Sequence, residues 1–131
     1  MVQENTVKER IEKIIGACPN AENDYLEATD WLYDLEPDKI DEIIADFEIK
    51  YENILKEYIQ IIGAPSYDEK TNRSLIDRWY PEAIRISCWE MSDRLFYLSL
   101  EQHDTETPVC ILIGCITNLN SLNIFDSCPK F

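Results

Sequence analysis

An α+β fold is predicted, with helices first and a small antiparallel sheet after them. Three observations predict it. An apolar stripe at helical spacing runs from Pro37 to Ile62, the hydrophobic period changes from 3.6 to 2 after Pro81, and no strand–helix–strand alternation interrupts the order. Helices and strands segregated along a chain pack as layers, with the helices on one face of the sheet. At 131 residues and 45% hydrophobic content, residues 1–131 are expected to form a single domain, burying roughly two thirds of the unfolded surface.

The elements follow in order. Thr6-Val7-Lys8-Glu9 has capping-box spacing, and Ile11, Ile14 and Ile15 then form one stripe that Gly16 and Pro19 close. A second short helix is expected from Asn23 or Asp24 to about Tyr33, with Tyr25, Ala28 and Leu32 inward and Asp24, Glu27 and Asp34 outward. The long helix starts with Pro37 in its first turn, where a missing amide costs nothing. Ile40, Ile43, Ile44, Phe47, Tyr51, Ile54, Leu55, Tyr58, Ile61 and Ile62 lie within about 60° of one direction at 100° per residue. Gly63 and Pro65 end it, giving a spine roughly 39 Å long. These three helices make residues 1–62 the helical half.

Ser66 to Asn72 reads as a polar linker, and Ser74 to Trp79 as a turn or two of helix. Ile84, Ile86 and Cys88 alternate with Arg85, Ser87 and Trp89; after a tight connection, Phe96, Leu98 and Leu100 alternate with Tyr97, Ser99 and Glu101. A polar loop, Gln102 to Thr107, leads to the apolar run Val109 to Ile116. Short connections favour antiparallel pairing, so residues 83–117 are expected to form a three-stranded meander whose last strand is covered on both faces. The tail, 118–131, has weak pattern.

Composition narrows the function. With 26 acidic against 12 basic residues the formal charge is −14. That disfavours direct binding to nucleic acid, which relies on cations neutralising phosphates, and equally an anionic membrane surface. The N-terminus has no basic region followed by an apolar run, and the longest apolar run is eight residues, Val109 to Ile116. Five cysteines cannot all pair within one chain. A cytoplasmic protein with reduced thiols is expected.

No motif asks for catalysis, and neither a cofactor nor a metal is expected. His103 is the lone histidine, in Glu101-Gln102-His103-Asp104, and could act as a general base with Asp104 or Glu101 as its orienter. Its ordinary role there is that of a polar loop residue. A Cys88–His103 nucleophile is disfavoured because Cys88 belongs to an apolar strand face, where a thiol stays protonated. Cys110 and Cys115 face opposite sides of a strand, and there is no C-x-x-C pair or second histidine for zinc. Three glycines are too few for a phosphate-binding loop.

The uneven placement of charge is more informative. Residues 1–62 hold 16 acidic and 6 basic side chains; residues 63–131 hold 10 and 6. On the long helix Asp41, Glu48 and Glu52 share a flank with Asp38 and Lys56 beside them, whereas the other flank mixes Lys39 and Lys50 with Asp46 and Glu57. Trp31 falls on the acidic side of the preceding segment. A solvated acidic face needs no tryptophan, while a docking patch often has an aromatic anchor ringed by charge. The candidate partner-binding set is therefore Asp24, Glu27, Trp31, Asp34, Asp38, Asp41, Glu48 and Glu52. Arg73, Arg78, Arg85 and Arg94 are expected to pair locally with Asp77, Glu82 and Asp93.

Size, acidity and helix-then-meander order, together with Arg78-Trp79-Tyr80-Pro81-Glu82-Ala83 through Cys88-Trp89, Phe96-Tyr97-Leu98 and Glu101-Gln102-His103-Asp104, give a chain that resembles the immunity proteins of bacterial polymorphic and contact-dependent toxin systems. The resemblance implies a cytoplasmic inhibitor, monomeric before binding, that covers the active site or substrate-binding surface of one cognate toxin domain, such as a basic nuclease. It carries over no individual residue. The alternatives are an effector-specific secretion chaperone, which would be a dimer with an exposed apolar groove, and a small enzyme using His103.

Overall fold

A computed structural model describes residues 2–18, 23–91, 93–104 and 106–117, with the side chains of residues 2–6 and 79 excepted. The α+β class holds, but the sheet has five antiparallel strands, in the order β1-β5-β4-β3-β2, instead of three. The elements are α1 (Val2–Ala17), β1 (Asp24–Ala28), α2 (Pro37–Ile62), β2 (Tyr67–Asp68), α3 (Arg73–Trp79), β3 (Ala83–Glu90), β4 (Arg94–Glu101) and β5 (Cys110–Thr117). The expected tail, 118–131, lies outside the described residues, as do Pro19 and Cys128.

Two corrections account for the extra strands. The segment read as a second helix is strand β1 followed by a loop, so residues 1–62 are not wholly helical; Asp24 pairs with Ile113 and Ala28 with Cys110. The segment read as a polar linker contains β2, where Tyr67 pairs with Cys88 and Asp68 with Ser87. Both follow from the hydrogen-bonding needs of the meander. An apolar strand covered on both faces must also satisfy its amides and carbonyls along both edges. β1 does this for β5, which lies between β1 and β4 with Leu98 opposite Ile113. A capping box at Thr6 is also displaced, because α1 starts at Val2.

Helices cover both faces of the sheet, not one. On the first, Ile11 and Ile14 of α1 and Phe47, Tyr51 and Tyr58 of α2 pack with Trp89, Phe96, Leu98, Leu100, Ile111 and Ile113. On the second, Ile76 of α3 and the following Tyr80 pack with Ile86, Cys88, Leu95, Tyr97 and Leu112. β3 and β4 alternate out of phase: Ile86 and Cys88 share the second face with Tyr97, while Ser87 and Trp89 lie opposite Leu98 and Phe96 on the first. Arginine 94 ties the layers together, its Nη1 donating to the Ile15 carbonyl at 2.6 Å near the end of α1.

α2 ends where Gly63 takes a positive φ of 87°, which residues with a side chain avoid, and donates its amide to the Ile59 carbonyl. The freed Gly63 carbonyl accepts from Trp89 Nε1 at 2.8 Å, locking the helix end to β3. Halfway along α2 the Tyr51 hydroxyl meets Ser87 Oγ at 2.7 Å and donates to the Leu98 carbonyl at 3.2 Å. Burial pushes the Tyr51 phenol well above its ordinary value, so it stays protonated. Among the described residues, no helix is long and apolar enough to cross a membrane.

Candidate docking site

The segment between β1 and α2 is pinned to the chain just before β5. The Thr29 amide donates to the Val109 carbonyl at 3.0 Å, Thr29 Oγ1 accepts from the Val109 amide at 3.0 Å, and the Leu32 amide donates to the Glu106 carbonyl at 2.9 Å. Leu32 is buried and anchors the loop. Its neighbours turn the other way: Trp31 is 56% exposed and Tyr33 61%, their rings stacked with centroids 5.4 Å apart and planes 7° apart. Tyr33, Leu35, Pro37 and Ile40 with Leu32 line a groove of about 320 Å³, and Asp41 and Glu106 complete its wall. That volume sits at the small end of the range for ligand pockets, enough for one or two side chains.

The structure divides the candidate acidic residues into two groups. Asp24 makes two bonds of 2.8 Å to Arg10, and Glu27 lies 3.3 Å from Lys50. Glu48 and Glu52 both face Arg85, which crosses from β3 to α2: its guanidinium is 3.9 Å from Glu48, directly hydrogen-bonded to Glu52, and 3.0 Å from Glu69. The same group lies 4.9 Å over the Tyr51 ring. Arg85 therefore reaches across the layers rather than pairing with its sequence neighbours. Arg73 and Arg94 do pair locally, with Asp77 and Asp93.

Asp34, Asp38 and Asp41 make no ion pair with any described residue, and neither does Glu106. Asp38 occupies the first turn of α2, where the helix dipole favours an anion. Of the eight candidates, then, Trp31, Asp34, Asp38 and Asp41 remain together at the α2 entrance. Sequence reasoning missed Tyr33, Leu35 and Glu106. The alternation Trp31, Tyr33, Leu35 was the available signal, and reading that stretch as a helix hid it. Glu106 arrives only through a contact across the fold.

The His103 region is polar. Its side chain is exposed, with Nδ1 3.7 Å from Glu82 and Nε2 3.9 Å from Glu101. The Glu101 carboxylate accepts from the buried Tyr80 hydroxyl, which also meets Ser99 at 2.9 Å. Burial, and then the hydrogen bond to Glu101, raises the Tyr80 phenol far above its ordinary value. Cys88 is buried, its thiol pushed up to about 12 by desolvation, so it offers no thiolate at neutral pH. Among the described residues, no cluster of three or more His, Cys, Asp or Glu side chains is placed to hold a metal ion.

Comparison with protein-family models, curated proteins and solved structures finds no match to this chain.

Proposed function

We propose that this chain is a cytoplasmic immunity protein, a binding module that neutralises a cognate bacterial toxin domain by covering its active site or substrate-binding surface. The observation that carries the reading is the exposed Trp31–Tyr33 stack beside a groove walled by Asp41 and Glu106. Two large aromatic rings left flat and open to water forgo the stabilisation that burial would give each, about 2 kcal/mol. Such rings are the commonest anchors of protein interfaces. The surrounding carboxylates would steer a basic partner, speeding encounter and rejecting acidic proteins. The net charge of −14 opposes self-association, so the free protein is a monomer in this reading.

The test is co-expression with the toxin domain encoded beside its gene. The expected result is a stable complex and restored growth. Trp31→Ala is expected to weaken the complex by at least 2 kcal/mol, about thirtyfold. Asp41→Lys is expected to slow association and flatten its salt dependence. Absence of both binding and protection would end the immunity reading. A complex unaffected by Trp31→Ala would move the interface off this groove.

A further inference from the structure

We infer that the groove at the entrance of α2 recognises an arginine side chain of the partner, its guanidinium held by Asp41 and Glu106 against the Tyr33 ring. The inference rests on the docking reading above and specifies the chemistry of the occupant. The groove is lined by aliphatic Leu32, Leu35, Pro37 and Ile40 together with the aromatic Tyr33 and two acidic residues, Asp41 and Glu106. Only a side chain with a long apolar stem and a cationic, planar head uses all three features. Lysine matches the stem and the charge, but its ammonium is a compact, strongly hydrated point charge. Guanidinium is weakly hydrated, stacks on aromatic faces and bonds carboxylates through a planar fork.

The molecule uses this chemistry internally. At Arg85 a guanidinium lies over the Tyr51 ring and is ringed by Glu48, Glu52 and Glu69. The groove repeats that combination of ring and carboxylates, with no described cation of the chain beside Asp41 or Glu106. A second copy is a poor source of the arginine, because two chains of net charge −14 repel each other and four of the five arginines, Arg10, Arg73, Arg85 and Arg94, are already engaged with a carboxylate of their own chain. A protein segment of opposite charge is the complementary occupant.

The test uses the intact protein and three blocked pentapeptides, Gly-Leu-X-Leu-Gly, with X as arginine, lysine or citrulline. Citrulline keeps the shape of arginine and loses its charge. Binding is followed by NMR at the Trp31 indole, assigned with Trp31→Phe. The arginine peptide is expected to saturate that signal in the millimolar range, with the lysine peptide about fivefold weaker and the citrulline peptide silent. Asp41→Asn and Glu106→Gln should each weaken the arginine peptide roughly two- to fivefold. Glu48→Gln should leave it unchanged, because that carboxylate faces Arg85. Equal binding of arginine and lysine, binding of citrulline, or no response to the arginine peptide overturns the inference. If the cognate toxin depends on Trp31 while arginine shows no advantage, the docking reading stands and the arginine inference falls. If the arginine peptide seats selectively but no neighbouring toxin binds, the immunity reading falls and the arginine site stands.

Discussion

The middle and the start of α2 each bring aromatic rings and carboxylates together, and they differ in whether the described residues supply the cation. At the middle of α2, Tyr51, Glu48, Glu52 and Glu69 surround Arg85, whose side chain is only 13% exposed. At the start of α2, Tyr33, Asp41 and Glu106 line a groove to which no described residue supplies a cation, with Trp31 stacked on Tyr33. The same flank of one helix thus changes character within two turns, between Asp41 and Glu48. Carboxylates met from within hold the layers in register and are lost to any partner. Carboxylates that no described cation meets leave a surface whose charge and apolar area are available for binding. An acidic stripe counted along a sequence merges these two roles; only the opposite layer separates them.

The sharpest way to break the comparison is to empty the filled site. Arg85→Ala removes a cation facing three carboxylates and leaves Glu69, itself largely buried, without its ion-pair partner and with only the Ile86 amide. Removing one member of a buried pair strands the other, and a loss of about 3 kcal/mol of folding stability is expected by chemical denaturation. A loss under about 1 kcal/mol would mean that Arg85 is as dispensable as a surface ion pair. The open site should behave in the opposite way. Trp31→Ala deletes a ring that is more than half exposed, so stability should move by no more than about 0.5 kcal/mol even as partner binding collapses. Between these two lies Tyr51→Phe. It leaves the ring under Arg85 and removes only the hydroxyl shared by Ser87 and the Leu98 carbonyl. A cost of about 1–2 kcal/mol is expected, from one buried hydroxyl losing its partner.

How far this division could be read in advance depends on the distance over which each interaction acts. The strands β3, β4 and β5 were legible because alternation is local and short connections fix antiparallel pairing. The 26-residue helix α2 was legible because ten apolar positions and Gly63 agree on one reading. β1 was not. In five residues Tyr25 and Ala28 satisfy a helical spacing as well as a strand, and what decides is the open edge of β5, more than eighty residues later. β2 has two residues and no pattern at all. The acidic candidates divide into two groups for a similar reason. Nothing near Glu52 in sequence announces Arg85, 33 residues away. Trp31 stands out in the sequence as an odd residue among acids, yet a helical reading conceals its stacking partner two positions on, since residues i and i+2 share a side only in an extended chain.

The smallest expected effect concerns the way the filled site answers to acid. The hydrogen bond from Arg85 holds the Glu52 carboxyl below its ordinary value, with burial opposing and losing. In the unfolded chain that carboxyl titrates near 4.5. As pH falls through this value the unfolded state takes up a proton that folded Glu52 still refuses, so stability contributed by the pair declines and is gone once folded Glu52 is itself protonated. The Glu52 side chain is 40% exposed, and solvent screening limits its share to about 1 kcal/mol or less. Glu52→Gln should therefore cost little at pH 7 and flatten the fall in stability below about pH 5, measured by urea denaturation at several pH values. An unchanged slope would show that Glu69 alone holds the guanidinium. Glu52 would then return to the solvent-facing acids, and the boundary between the filled and open regions of α2 would move one to two turns toward its C-terminus.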